Sequence, residues 1–410
     1  MSAKKVLKTA AAVFTALTVC AAANGCSGSV RSINGIGERG IAADVAFFDS
    51  GASSDIGHEY LPVKRTDGRK FKMAILCSDP YNEDFRTIYY VIENLKADGW
   101  IDYDNLPFDP YTDTNILEML GWLADNAESE YMEFDRDVHY YITVSTEEEI
   151  HQSLKSHIEE KKDVDLVLCL TTASALMVEK FDFDIPMLMY GLSDPIGSGL
   201  IVSAEDSGDS RYWAHVDPSP YYRQVQYYFD SFGFANLGAV YIDEIIAGMP
   251  EYRKAAEDNG FTVTEYGIHR EGMDDDAYYE LLAKTYEKMI SEDKVNAYVL
   301  TSHLIPSTAK AKELLQVFFD ANIPVLVQEG SAYVTDGAAL MIVDTRDASG
   351  TAPFVANVIG GVLNGAAPGD LAQEYISSPF LAINLDVADA IEFHPPFEML
   401  LSCERIVCGE

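Results

Sequence analysis

The chain has 410 residues, of which 66 are acidic and 29 basic, so its net charge at neutral pH is −37. This charge repels polyanions and argues against nucleic acid or an anionic lipid surface as a partner. About 340 residues follow the N-terminal segments described next, which is more than one hydrophobic core usually serves, so two lobes are expected.

The N-terminus has the pattern of an export signal. Three lysines lie within the first eight residues, before or at the start of the apolar, alanine-rich segment 6–23, which predicts a signal peptide over residues 1–25. Residues 23–26, Ala-Asn-Gly-Cys, resemble a bacterial lipobox, which predicts lipidation of Cys26; simple secretion or a retained anchor is the alternative. Residues 26–68 are rich in Gly, Ser and Asp and are expected to form a flexible tether.

The folded body is expected to begin with a strand at residues 72–77 and a helix at 83–97. Residues 99–137 carry two tryptophans and many acids, and we interpret them as an insertion on a loop of the first lobe. A strand at 139–144 and a helix at 146–161 follow. Thr146 and Glu149 have the spacing of a capping box at the start of that helix.

The stretch 164–203 predicts a strand, a helix and a second strand. Residues 164–170 are a nearly unbroken apolar run, as in a buried parallel strand. A second apolar run follows Pro186, which can stand only at the start of a strand. The following residues, 191–199, are so rich in glycine that we expect the chain to leave its sheet there and to cross to the second lobe.

A second α/β unit follows. Strands are expected at 237–242, 261–266, 296–301 and 324–328, with helices between them. The last of these units repeats the helix end, the Ile-Pro pair and the apolar strand of the first lobe after about 140 residues, a spacing that suits two similar lobes.

No catalytic or metal-binding pattern is present. The eight histidines form no pair at metal-ligand spacing and no Cys-x-x-Cys occurs, so no metal and no cofactor are expected. Residues 191–195 begin like a nucleophile elbow but lack its closing glycine, and His303 is the best remaining catalytic candidate. Cys77 and Cys169 are expected to be buried thiols, whereas a Cys403–Cys408 disulfide stays open.

An ordered set of short motifs resembles a known family. It comprises Thr171 to Ala175, Ile185-Pro186 through Ser193-Asp194-Pro195-Ile196 to Leu200, Ile323-Pro324 through Gln328-Glu329-Gly330 to Ala338, Leu363 to Pro368, and Ile383 to Leu385. Together they are similar to the ABC-type substrate-binding lipoproteins of the group that resembles a tryptophan or aromatic amino-acid receptor. The resemblance covers about residues 70–407, and the insertion at 99–137 departs from it.

The resemblance implies an α/β fold of the type I periplasmic-binding-protein kind, with two doubly wound parallel-sheet lobes joined by a hinge of three strands. With three crossovers, the first lobe would comprise residues 69–195 and 338–367, and the second lobe 196–337 and 368–410. In open α/β sheets, ligands bind beyond the carboxyl ends of the strands. The two lobes would therefore share one cleft.

Candidate ligand-binding residues stand at the predicted strand ends. They are Ser78, Asp79, Thr171, Thr172, Tyr190, Asp194, Asp243, Thr301, Ser302, Gln328 and Glu329. Thr171 and Thr172 begin a helix, where free N–H groups and hydroxyls hold a carboxylate; plain N-capping is the alternative. Asp79, Asp243 or Glu329 would pair with an ammonium group, and Asp194 before Pro195 also suits a turn or hinge.

We therefore expect a non-enzymatic, monomeric binding protein that captures a small polar ligand, with an amino acid as the best candidate and an aromatic side chain weakly favoured. The resemblance implies delivery to an ABC permease and its ATPase, with the protein on the outer face of the bacterial membrane and held there only by its lipid. A sensory receptor of the same fold is the first alternative. A secreted α/β hydrolase is the second.

Overall fold

In the computed structural model, the described residues are 59–192, 194–243, 248–345, 347–376 and 378–409. The predicted signal peptide, the lipidation site Cys26 and the predicted tether up to residue 58 lie outside them. Within the described part, no helix combines the length and the apolar character that a membrane crossing needs.

Thirteen strands are present in the described residues. They are β1 (Phe71–Cys77), β2 (Met132–Glu133), β3 (His139–Tyr141), β4 (Leu166–Cys169), β5 (Met187–Met189), β6 (Tyr212–Ala214), β7 (Asn236–Ile242), β8 (Thr262–Ile268), β9 (Ala297–Leu300), β10 (Val325–Val327), β11 (Met341–Asp344), β12 (Phe380–Asn384) and β13 (Arg405–Val407).

The α-helices of the described residues cover both faces of the sheets. They are α1 (Asn82–Ala97), α2 (Ile116–Asn126), α3 (Glu147–Lys155), α4 (Thr172–Phe181), α5 (Pro220–Phe232), α6 (Met249–Asn259), α7 (Asp275–Ser291), α8 (Thr308–Asp320), α9 (Ala332–Thr335), α10 (Ala348–Leu363), α11 (Leu385–Ala390) and α12 (Phe397–Leu401). A π-helical segment, Ser156–Lys161, continues α3.

The first lobe is built on a parallel sheet with the order β2-β1-β4-β5-β6, in which β3 also pairs with β1. The surroundings of β1 explain why its sequence is almost continuously apolar. Met73, Ile75 and Cys77 point into the core under α1, α2 and α10, whereas Ala74 and Leu76 point into the core under α3 and α4. Both faces of the strand are buried, as in doubly wound folds.

The second lobe contains seven strands in the order β13-β12-β11-β10-β9-β7-β8. The prediction of a wholly parallel sheet is wrong for one pair, because β12 runs antiparallel to β11. The physical reason lies in the path of the chain. After β11 it passes through the first lobe and returns from the facing side, so β12 starts beside the end of β11 and runs back.

The chain changes lobe at positions other than those predicted from the sequence. Strand β6 pairs with β5, so residues 196–214 belong to the first lobe. Residues 194–203 are closed by their own turns instead of leaving the lobe. The first crossover is at residues 215–219, between β6 and α5.

The other two crossovers also lie at positions other than those predicted. Strand β11 lies in the second sheet, so residues 338–344 belong to the second lobe and the crossover comes between β11 and α10. Residues 368–375 stay with the first lobe, where Val216 and Glu374 form a parallel bridge, and the return crossover precedes β12. Two of the three connecting segments are therefore paired with each other.

The last ten residues of the predicted tether are packed on the first lobe. The Glu59 N–H donates to the Asn357 side chain at 3.0 Å, and Asn364 donates to the Leu61 carbonyl at 3.1 Å. Arg65 forms an ion pair with Asp165 at 2.6 Å. The folded lobe therefore begins near residue 59 and not at 69.

The cysteine predictions are confirmed for the two buried thiols. Cys77 and Cys169 are buried in the strands of the first sheet, and burial raises the pKa of Cys169 to about 12. Cys403 and Cys408 are free thiols. The extended strand β13 between them holds their Cα atoms farther apart than the roughly 7 Å that a disulfide spans.

Candidate functional site

The carboxyl ends of the parallel strands form the two facing surfaces of the lobes. In the first sheet, β1 lies between β3 and β4, which is the point where the strand order reverses and where ligands bind in such sheets. In the second sheet, β7, β9 and β10 are neighbours, so the residues that follow them lie side by side.

Two hydroxyl groups come together at the first facing surface. Ser78 follows β1, Thr171 follows β4, and their hydroxyl oxygens are 2.9 Å apart. Thr171 is also the N-cap of α4, because its hydroxyl accepts the Ser174 N–H at 3.2 Å. Thr172 is half-buried and is the first residue of α4, where backbone N–H groups have no acceptor within the helix. The residues at the start of α4 can therefore donate hydrogen bonds to an anion.

Tyr190 and Asp194 occupy structural positions in the first lobe. Tyr190 is buried, its hydroxyl donates to the Ala348 carbonyl at 3.5 Å, and its ring meets that of His215 with centroids 5.7 Å apart. The Asp194 carboxylate accepts the Gly197 N–H at 2.7 Å and closes the turn after β5. This contact is the one expected if Asp194 forms a turn.

Thr301, Ser302 and Gln328 form a buried network beneath the second facing surface. The Gln328 side-chain oxygen accepts both the N–H and the hydroxyl of Ser302, at 2.8 and 2.9 Å. The Thr301 hydroxyl donates to the Val240 carbonyl at 2.7 Å. These bonds join the loops after β9 and β10 to β7, so the three residues shape the floor of the surface.

Glu329 and Asp243 present carboxylates at the second facing surface. Glu329 is half-buried and accepts a hydrogen bond of 2.8 Å from the Tyr221 hydroxyl. Asp243 is exposed at the end of β7. Burial raises the pKa of Tyr81, at the start of α1, and the charges of Glu83 and of Glu329 from the opposite lobe raise it further. Glu329 therefore lies across the cleft from the first lobe.

Asp84 lies near the candidate residue Asp79, and sequence reasoning did not find it. It lies in the first turn of α1, and burial raises its pKa to about 7, with the negative charges of Asp79 and Glu83 adding to the effect. Asp79 itself is exposed. The available signal was the position of Asp84 in the helix that directly follows β1.

Arg86 is a second residue that the sequence did not reveal. Its guanidinium is buried and lies 2.6 Å from Glu83, 3.3 Å from Asp344 and 3.8 Å from Asp347. Asp344 ends β11 in the second lobe and Asp347 caps α10 in the first, so the Arg86 side chain joins both lobes at a crossover.

The site offers hydrogen-bond donors, carboxylates and aromatic rings. Among the described residues, no group of three or more His, Cys, Asp or Glu side chains could hold a metal ion. His303 is exposed in a left-handed turn, with φ of 61°. The polar groups of the two facing surfaces therefore match the chemistry of a small polar molecule.

Solved structures share this two-lobed fold. An ABC domain from Streptococcus pneumoniae in complex with L-Trp is 17% identical, with a TM-score of 0.56, covering 83% of this chain and 100% of that one. A conserved domain protein from Vibrio cholerae is 16% identical, with a TM-score of 0.57 and coverages of 82% and 100%. A substrate-binding protein with adhesive properties from Clostridium difficile, solved open and ligand-free, is 16% identical, with a TM-score of 0.59 and coverages of 83% and 99%.

These likenesses confirm the predicted type I periplasmic-binding-protein fold. The comparison with curated proteins gives no match. The sequence pattern of ABC transporter substrate binding proteins, a family of binding proteins rather than enzymes, matches residues 126–405. With more than half of its length matched and the fold in agreement, the chain belongs to the family of ABC transporter substrate-binding proteins.

Proposed function

We propose that the protein is the extracytoplasmic binding component of an ABC importer and that it holds an α-amino acid between its lobes. The observation that carries the proposal is the pairing of Ser78 and Thr171 at the start of α4 on one facing surface, with carboxylates on both surfaces. An α-amino acid has one anionic and one cationic group. Each group has a partner of suitable chemistry in the cleft.

The ligand carboxylate would bind at the start of α4. There the Thr172 hydroxyl and the free backbone N–H groups donate, and the positive end of the helix dipole favours an anion. The Thr171 hydroxyl already caps the helix, so its role is to hold the backbone in place. Ser78, which is hydrogen-bonded to Thr171, supports the same geometry.

The ligand ammonium would bind to the carboxylates near Tyr81. Glu329 is held by Tyr221, which fixes the direction of its carboxylate. Asp84 and Asp79 lie on the other side, close enough that each influences the charge of its neighbours. The Tyr81 ring beside these groups could stack on an aromatic ligand side chain.

Membership of the family supports delivery to a permease as the next step. After closing on the ligand, the monomer would present both lobes to the permease, whose ATPase drives uptake. The N-terminal signal and Cys26 would place the protein outside the cytoplasm and would hold it at the membrane. Among the described residues, no feature favours the alternative of a sensory receptor over a transport receptor.

The test is calorimetric titration of the purified protein with the twenty amino acids, with sugars and purines as the competing ligand classes. For the best amino acid, Thr172→Ala and Glu329→Gln should each weaken binding about ten- to a hundredfold. Each removes one charge-assisted contact, which is worth about 1.5 to 3 kcal/mol.

The matched control is Glu313→Gln, which neutralises an exposed carboxylate on α8 in the same lobe as Glu329. It should leave the affinity unchanged. Tight binding of a sugar or a purine with no amino acid bound, or wild-type affinity in both site variants, would refute the amino-acid assignment.

A further inference from the structure

The predicted insertion makes a contact with the opposite lobe. The Tyr111 ring belongs to residues 99–137 of the first lobe, and the Arg405 guanidinium lies 5.7 Å from its centroid. Arg405 begins β13, the edge strand of the second sheet. A cation within about 6 Å of a ring centroid is attracted to the ring face. The family match begins at residue 126, so Tyr111 stands outside the shared pattern.

The loop that carries Tyr111 is fixed to the facing end of the first lobe. The Asn82 side chain donates to the Pro110 carbonyl at 3.2 Å and to the Asp113 carbonyl at 2.7 Å. Asn82 begins α1, directly after the carboxyl end of β1. The Tyr90 hydroxyl, also on α1, donates to the Tyr111 hydroxyl at 3.3 Å. The ring is therefore held by the lobe and does not hang from a free loop.

Arg405 lies at the facing end of the second lobe. It pairs with Ala382, which pairs with Ile342, two residues before Asp344 where β11 ends. The next crossover starts directly after Asp344. Because both partners stand at facing ends, any movement that separates these ends lengthens the distance between Tyr111 and Arg405.

We propose that the insertion is a brace between the lobes, in which Tyr111 binds Arg405 and favours the arrangement with the lobes close together. Tyr111 is then a positioning residue: it need not touch the ligand, but it raises affinity by making closure easier. The effect on affinity rests on the proposed ligand-binding function. The contact itself does not.

The first experiment measures amide hydrogen exchange of the ligand-free, full-length protein. Arg405→Ala should accelerate exchange in residues 108–113 of the first lobe, and Tyr111→Ala should accelerate exchange in residues 403–407 of the second. Tyr111→Phe removes the hydrogen bond with Tyr90 but keeps the ring, so it should leave exchange in residues 403–407 unchanged. The control is Arg270→Ala, which removes a similar contact with Tyr278, 4.2 Å from the ring centroid, inside the second lobe. It should leave residues 108–113 unchanged.

Unchanged exchange across the lobes in both alanine variants would overturn the brace, whether or not a ligand is known.

The second experiment uses the best ligand found by calorimetry. Tyr111→Ala and Arg405→Ala should each weaken its binding about two- to fivefold, the range expected for one exposed cation–π contact. The double variant should lose no more than either single variant, since both remove the same contact. Additive losses would contradict a shared contact.

Discussion

At the scale of single residues, the Asp84 carboxyl is held in an unfavourable environment. Its pKa is about 7 in the folded chain against an ordinary value of 3.8, chiefly because of burial. Between these two pH values the folded chain keeps a proton that the unfolded chain has released. Stability therefore falls as pH rises from about 4 to about 7 and stays lower above that range.

Asp84→Asn should consequently raise the melting temperature of the ligand-free protein above pH 7, and the gain should vanish near pH 4. Thermal denaturation across this pH range is the measurement. The control is Asp276→Asn, which changes an exposed carboxylate in the first turn of α7. A pH-independent gain in Asp84→Asn, or an equal gain in the control, would show that burial of this charge is not the cause.

Asp84 should also make ligand binding depend on pH. A ligand ammonium favours the ionised carboxylate, so binding below about pH 7 must first release the Asp84 proton. The affinity of the wild-type protein for an amino acid should fall as pH drops from 8 to 6. Calorimetry at both values should show a smaller pH dependence in Asp84→Asn, and an equal dependence would place the titrating group elsewhere.

Cys26 is the residue on which the proposed membrane attachment depends. If it is the lipidated residue, cells that express the protein should incorporate a labelled fatty acid into it, and Cys26→Ser should abolish this labelling. Cys20→Ser is the control, since Val19 stands where a lipobox needs a small residue. Labelling that persists in Cys26→Ser would exclude this site.

At the scale of elements, helix α3 begins with the capping box that its sequence predicts. The Thr146 hydroxyl accepts the Glu149 N–H at 3.2 Å, and the Glu149 carboxylate accepts the Thr146 N–H at 2.9 Å. Thr146→Ala should lower the free energy of unfolding by about 1 kcal/mol. Denaturant titration is the measurement. Glu147→Gln, an exposed change in the same helical turn, should cost much less.

At the scale of the whole molecule, the three crossovers permit the two lobes to move as bodies. If the ligand binds both facing surfaces, saturating ligand should make the protein more compact, and the radius of gyration from small-angle scattering should decrease. The melting temperature should rise as well, because only the folded chain binds. A higher melting temperature with an unchanged radius would indicate binding without closure.

Much of this molecule can be predicted from the sequence because local patterns determine it. Continuous apolar runs predicted β1, β4 and β7, since parallel strands buried on both faces leave no polar alternation. Strand β6 was not predicted because the glycine-rich residues before it were interpreted as the crossover, so its pairing with β5 in the first lobe was not expected. The antiparallel β12 depends on the side from which the chain re-enters the lobe, which no local pattern records.

The sequence by itself determined the α/β class, the two lobes and the strand ends at which the polar residues lie. Only the tertiary structure decided which of these residues face the cleft, because burial and pairing depend on elements far apart in the chain. Gln328 and Ser302 bind each other beneath the surface, whereas Asp84 lies next to the candidate residue Asp79 and Arg86 joins the two lobes at a crossover. A charge acquires its role from the residues that folding brings to it, such as Asp344 for Arg86.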